Sequence, residues 1–271
     1  MSEEIRPDDL TKKTVVYEIS GTDRVTVRQD IAYRTNDEGA LTMDIYYPPD
    51  SKKGARLPAV IFVSGYPDPG FEKIAGCKFK EMGAYTSWGR LTAASGMAAI
   101  TYTNREPVAD LRDLLRYVRE NSTELGIAEN RIALWACSGN VPNALSVLID
   151  KGVDYLKCAV LCYGYMLDFD GDTSVADAAS QWRFVNPCAG KSAADIAHNV
   201  PLFIMRAGRD QMPRINETID RFIVKALSYN LPVTFVNHPL APHAFDLFDD
   251  TETSREIIRR ILAFMKFHLA A

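Results

Sequence analysis

Apolar positions in this chain follow two rhythms that take turns along its length. Short, nearly unbroken apolar runs fall at Ala59-Val60-Ile61-Phe62-Val63, Met97–Thr101, Asn130–Trp135, Lys157–Tyr163, Pro201–Ala207 and Val233–Asn237. Runs of this kind suit strands covered on both faces. Between them the apolar residues recur at three- and four-residue spacing. Val108, Leu111, Leu115 and Val118 share one face of a predicted helix over Val108–Glu120, and Val141, Leu145, Leu148 and Ile149 share a face over Val141–Ile149. Further helices are predicted from Trp88 to Ser95, closing at Gly96, from about Arg214 to Tyr229, and from Thr251 to Leu269. Upstream, Thr14–Ser20, Arg24–Arg34 and Leu41–Tyr47 read as strands, with Asn36-Asp37-Glu38-Gly39 as a turn between the second and third.

Strands that alternate with helices bury their apolar faces best as a mostly parallel sheet with helices on both sides. The predicted class is therefore α/β, with an antiparallel edge supplied by the N-terminal strands. The span 1–271 reads as one domain. One segment, about 164–199, breaks the alternation with acidic and small residues (Asp168, Asp170, Asp172, Asp177) followed by Gln181-Trp182-Arg183-Phe184. It is long for a plain connection, so it reads either as a cap over a site or as a helical decoration. Residues 71–87 show no clear period. Residues 1–12 are polar and read as an arm or a loose end.

Composition narrows the classes. A net charge of −4 offers no basic stripe for nucleic acid. No apolar run reaches the roughly 18 residues that span a bilayer, and Met1–Pro7 lacks the pattern of a secretory leader. The five cysteines (Cys77, Cys137, Cys158, Cys162, Cys188) are odd in number and without C-x-x-C spacing, which fits a reducing, cytoplasmic setting. Cys158 and Cys162 lie in a strand-like run, as small buried hydrophobes do.

The candidate chemistry centres on Ala136-Cys137-Ser138-Gly139-Asn140, between the run ending at Trp135 and the helix beginning at Val141. A serine on a sharp strand-to-helix turn exposes its hydroxyl at the end of the sheet, and the next backbone N–H belongs to the unpaired first turn of the helix. The flanking positions are crowded, so Ala136 is a mild departure from the glycine of a G-x-S-x-G elbow and Asn140 a larger one. The Asn140 side chain is expected to point to solvent or the site, or to cap the helix. Cys137, one position along, turns its thiol elsewhere.

A serine hydroxyl needs a base, and an imidazole base needs a carboxylate to fix its tautomer. Ser138, Asp210 and His243 each follow a different predicted strand, in the order Ser, Asp, His, on one edge of the sheet. Asp210 also suits a helix cap. Asp246 is the second choice of carboxylate, and His238, at a strand end, reads as structural. For the oxyanion the expected donors are the N–H of Gly139 and that of Tyr66, the latter in the loop Ser64-Gly65-Tyr66 where glycine allows close backbone approach. Gly65, Cys137, Asn140 and Trp182 are the expected substrate contacts.

These stretches resemble an α/β-hydrolase of the esterase/lipase or dienelactone-hydrolase-like branch, with features shared by prolyl oligopeptidase catalytic domains. The resemblance rests on Phe62–Tyr66, Tyr85–Leu91, Arg131–Asn140, Ala207–Asp210 and His243–Asp246, and covers about residue 40 onward. It departs at Ser64, where many members carry histidine, and at Ala136 and Asn140. It implies a nucleophile at Ser138, an acid at Asp210 and a base at His243. Dienelactone hydrolases proper use cysteine, against which Ser138 argues. The expected activity is hydrolysis of a small carboxylic ester through an acyl-enzyme, with no metal or organic cofactor. A peptidase or amidase on the same residues, or a non-catalytic ligand-binding protein, are the alternatives. The expected partner is a small-molecule ester, and a homodimer is an assembly the sequence allows.

Overall fold

In the computed structural model residues 11–52 and 54–270 are described. In chain order the elements are β1 (Thr26–Asn36), β2 (Gly39–Tyr47), β3 (Leu57–Phe62), α1 (Asp68–Ala75), α2 (Gly83–Ala94), β4 (Ala98–Tyr102), α3 (Pro107–Glu120) and α4 (Ser122–Leu125). They continue as β5 (Ile127–Cys137), α5 (Val141–Ile149), β6 (Leu156–Cys162), α6 (Ser174–Trp182), β7 (Leu202–Ala207), α7 (Ile215–Ser228), β8 (Val233–His238), α8 (Phe245–Phe248) and α9 (Glu252–Ala270).

The strands form one sheet in the order β1-β2-β4-β3-β5-β6-β7-β8. β2 runs antiparallel to both β1 and β4, and every pair from β4 to β8 is parallel. This is the mostly parallel sheet with an antiparallel edge that the hydrophobic rhythm predicts. The period of two within each buried strand feeds two cores. Ala59 and Ile61 of β3 and Ile132, Leu134 and Ala136 of β5 face one side, where they meet Leu111 and Leu115 of α3, Val141 and Leu145 of α5, and Phe222 of α7. Val60, Phe62, Ala133 and Trp135 face the other, against Trp88 and Leu91 of α2 and Ile258 and Ile261 of α9.

From β3 the chain steps to β4 on one side, and then from β4 across to β5 on the other. The loops leaving the carboxyl ends of β3 and β5 therefore diverge from adjacent strands, with Phe62 opposite Trp135 in register. A crevice opens at such a reversal of strand order, and ligands settle there. Ser64-Gly65-Tyr66 and Ser138-Gly139-Asn140 flank that crevice.

Three expectations need correction. Thr14–Ser20 is not a strand: among the described residues it pairs with none, and Val15 N–H donates to Ser87 Oγ (3.0 Å) and Val16 N–H to the Asp246 carbonyl (2.9 Å). The helix expected from Trp88 begins at Gly83, within the stretch that showed no period. A side chain at Gly83 would meet the carbonyl oxygens of Lys12 and Lys13 at 2.6 Å, so glycine there lets the incoming chain cross the helix start. Arg24 lies in a short 3-10 turn, and the strand that follows starts at Thr26. The polar arm expected at the start of the chain lies, through residue 10, outside the described residues.

Candidate active site

Ser138 opens a 3-10 turn, Ser138–Asn140, directly at the end of β5 and directly before α5. Its φ is +53°, in the left-handed region that a side-chain-bearing residue enters only when its surroundings force it. The surroundings are specific. Gly139 sits under the Tyr66 hydroxyl and the Phe184 ring, where an added Cβ would lie 2.4 Å and 2.6 Å from them. Gly65 presses on the same turn, and a Cβ there would be 2.7 Å from the Gly139 carbonyl oxygen. The two glycines let the loop after β3 and the turn after β5 meet backbone to backbone.

Asn140 holds that meeting together. Its Oδ1 accepts from Gly65 N–H at 2.7 Å and its Nδ2 donates to Tyr85 Oη at 3.2 Å. It is buried and makes no side-chain cap to the helix, contrary to the solvent and cap alternatives, while it does line the cavity beside Ser138. An asparagine is accepted here because it is a strut between loops. Gly65 N–H is thereby occupied. Tyr66 N–H makes only a long contact with Ser64 Oγ, at 3.4 Å.

Asp210 and His243 follow β7 and β8, neighbouring strands. His243 Nδ1 lies 2.7 Å from Asp210 Oδ2, and the Asp210 side chain is fully buried while the imidazole is 28% exposed. Asp210 Oδ1 also accepts from Met212 N–H at 2.9 Å, so the residue serves the following turn and the imidazole together. With Nδ1 committed to the carboxylate, Nε2 is the ring nitrogen left to take a proton. Tyr163, at the end of β6, packs edge-on against the ring at 5.0 Å between centroids.

Ser138 and His243 line one cavity of roughly 410 Å³, together with Tyr66, Cys137, Asn140 and Trp182. Among the described residues no hydrogen bond joins the serine hydroxyl to the imidazole. Catalytic hydrogen bonds are often long before substrate arrives. Gly65 and Gly139 do not line the cavity; they shape its rim through the backbone contacts above.

The remaining candidates separate cleanly. Asp246 is buried, and its two oxygens accept from Trp88 Nε1–H and Tyr163 O–H, both at 2.7 Å. It anchors the cavity wall. His238 is buried with Nε2 3.1 Å from Asp249 Oδ2 and does not line the cavity, in keeping with a structural residue. The Cys137 thiol is pushed up to about 12, by burial first and then by the nearby Asp246 carboxylate. Burial likewise holds the Tyr66 phenol well above its ordinary value, so it remains an O–H donor.

The segment between β6 and β7 does touch the site. Trp182, at the end of α6, reaches the cavity, Phe184 stacks on Tyr165 at 5.4 Å, and Val185 N–H donates to the Gly65 carbonyl at 2.9 Å. Sequence reasoning missed Tyr85, Trp88, Trp135, Tyr163 and Met212 as lining residues. Trp88, Trp135 and Tyr163 sit inside or at the end of elements whose apolar pattern marks them as core, and Tyr85 lies in the stretch that showed no period. Among the described residues no cluster of side chains could hold a metal ion.

No protein-family model matches the chain, and no curated protein does. Solved structures match over nearly the full length. A hyperthermophilic esterase from the archaeon Pyrobaculum calidifontis superposes with a TM-score of 0.67 at 20% identity, covering 91% of this chain and 87% of that one. Esterase 2 of Thermogutta terrifontis in its apo form gives 0.64 at 19%, covering 93% and 97%. The fold is that of the α/β-hydrolases. The butyrate-bound form of a Thermogutta terrifontis esterase is similar as well, with a TM-score of 0.61 at 18% identity over 91% of this chain and 96% of that one. No helix among the described residues is long and apolar enough to cross a membrane.

Proposed function

We propose that this protein is a serine hydrolase that cleaves a small carboxylic ester through an acyl-enzyme, with Ser138 as nucleophile, His243 as base and Asp210 as its carboxylate. The observation that carries the reading is the 2.7 Å contact between the buried Asp210 carboxylate and His243, whose imidazole shares a cavity wall with a serine held at positive φ. Structural likeness to esterases supports the substrate class.

In this mechanism Ser138 Oγ attacks the ester carbonyl as His243 Nε2 takes its proton, and Asp210 stabilises the imidazolium. The carbonyl oxygen gains negative charge and is met by Gly139 N–H and Tyr66 N–H. The imidazolium gives its proton to the departing alcohol. Water, deprotonated by the same nitrogen, then releases the acid. Cys137, Asn140 and Trp182 border the substrate while Gly65 shapes the rim through its backbone, and Cys137, with its thiol protonated at neutral pH, contributes surface and no nucleophile. The chemistry calls for no cofactor. A volume of roughly 410 Å³ suits a small ester.

Hydrolysis of p-nitrophenyl acetate and butyrate by the wild-type protein and by Ser138→Ala tests the assignment. The variant should lose all measurable turnover while keeping its circular dichroism, and a fluorophosphonate should label the wild type alone. Asp210→Asn should lower kcat by about 10³- to 10⁴-fold, because the imidazole then settles in the wrong tautomer. Equal rates for wild type and Ser138→Ala would remove the serine from its role.

A further inference from the structure

Charge is unevenly supplied around the cavity next to Ser138. Among the described residues no lysine or arginine lines it. Its titratable members are His243, which the mechanism uses, the Cys137 thiol, the phenols of Tyr66, Tyr85 and Tyr163, and Asp246. Burial pushes Cys137 up to about 12 and holds the three phenols above their ordinary range, so all four are neutral at neutral pH. Asp246 is different. Both its oxygens accept, from Trp88 Nε1–H and Tyr163 O–H at 2.7 Å, which is the pattern of an ionised carboxylate. Both donors are uncharged, so the charge is solvated but not cancelled.

A buried charge does not have to be touched to be felt. Asp246 is only 2% exposed and its oxygens are occupied, yet a charge so poorly screened by water acts across the cavity whose wall it helps to form. A second negative charge about 6–8 Å away is disfavoured by about 30- to 100-fold at an effective dielectric constant of about 20. Hydration cannot offset this, because Phe71, Phe79, Met82, Leu247 and Phe248 line the same space with apolar surface. Lys13 places its ammonium 5.6 Å from the Phe248 ring centroid, but it is exposed and screened by solvent.

The reaction itself escapes this penalty. As Ser138 attacks, an oxyanion and an imidazolium form together, so an uncharged ester passes through a transition state of no net charge. An acyl group that already bears a carboxylate adds a charge that nothing in the wall balances. In the acyl-enzyme that group is bonded to Ser138 Oγ, so it starts in the cavity that Ser138 lines.

We propose that Asp246 is a specificity-determining residue, whose buried charge confines the substrate's acyl group to uncharged, apolar ones and turns away monoesters of dicarboxylic acids. It acts through its field and touches no reacting atom. The inference rests on the ester-hydrolase reading for its substrate, but charge discrimination in the cavity is measurable without turnover.

The test compares p-nitrophenyl hexanoate with mono-p-nitrophenyl adipate, acyl chains of equal carbon number that end in a methyl and in a carboxylate. At neutral pH the wild-type kcat/KM should be at least about 30-fold lower for the adipate ester. In Asp246→Asn, where the Tyr163 hydroxyl can turn to accept from the new amide, that gap should shrink by about tenfold or more. Taking the ratio of the two substrates cancels any general damage to the variant. Equal rates in the wild type, or a gap that Asp246→Asn leaves intact, would overturn the proposal. A second measurement needs no Asp246 variant and no turnover. Hexanamide, adipamate and 6-aminohexanamide (neutral, anionic and cationic) are titrated into full-length Ser138→Ala and followed by the fluorescence of Trp88, Trp135 and Trp182, which line the cavity. The cation should bind at least about tenfold tighter than the anion, with the neutral amide tightest. Cation and anion bound equally weakly would mean that loss of hydration alone excludes charge, and the role of Asp246 would fall. Discrimination in binding without hydrolysis of any ester would sink the ester-hydrolase reading and leave the charge filter standing; hydrolysis of both esters at equal rates would do the reverse.

Discussion

Asn140 spans two loops with a single amide, accepting from Gly65 on one side and donating to Tyr85 on the other. Removing it leaves a buried backbone N–H with nothing to bond, at a cost of about 1–3 kcal/mol. Asn140→Ala should therefore lower the unfolding free energy by that amount, read by urea titration. It should also lower kcat more than it raises KM, because the loop it steadies carries the proposed second oxyanion donor. A loss of stability with unchanged kcat would confine Asn140 to a structural role. Nothing in the local sequence reveals this strut. The G-x-S-x-G pattern asks only what crowds the turn, and it takes asparagine for a poor fit. Its partner Gly65 lies 75 residues away in sequence, brought near by the adjacency of β3 and β5. By contrast the positions of Ser138, Asp210 and His243 after β5, β7 and β8 were legible, because each follows a continuously apolar run in the sequence.

At the scale of elements, strand and helix identities could be read wherever one face or both were continuously apolar, and α5 matches its expected bounds of Val141–Ile149. The failures share a cause. Thr14–Ser20 has strand-like residues but no strand beside it, and pairing is a property of neighbours. The segment between β6 and β7 carries no period, since its residues pack on the site's rim and on a small cluster of their own, Tyr165, Val175, Ala178, Phe184 and Ile215. Phe184 is the link from that cluster to Tyr66, at 6.0 Å between rings. Phe184→Ala should loosen the segment before the sheet feels it. Amide exchange at Val185, whose N–H is held by Gly65, should accelerate by about 100-fold, corresponding to roughly 3 kcal/mol of lost packing. Exchange there at the wild-type rate would show that the segment docks without Phe184.

Across the whole molecule the cavity is a meeting place of distant chain segments. Asp246 of α8 ties down Trp88 of α2 and Tyr163 beyond β6 through its carboxylate, and Val16 through its carbonyl. Burial raises the Asp246 carboxyl above its ordinary value, an effect its two hydrogen bonds only partly offset. The folded state then binds this proton more readily than the unfolded chain does. The penalty for the charged form is present at neutral pH and is relieved as pH falls through the raised value towards the ordinary carboxylate range. Asp246→Asn, which cannot ionise, lacks that relief. The stability of the wild type relative to Asp246→Asn should thus increase between pH 7 and pH 5, measured by urea midpoints at each pH. A difference that stays constant, or moves the other way, would mean that the carboxylate is not held against its charge.

The grip of Val16 on Asp246 makes the opening stretch of the chain a brace for the cavity, although Ser138 lies more than a hundred positions further on. A protein shortened to begin at β1 would retain every side chain proposed for chemistry and still lose the backing of its inner wall. Fusion partners and trimmed versions intended to spare the proposed catalytic groups should therefore be judged by what they do to Val15 and Val16 as much as by their distance from the serine.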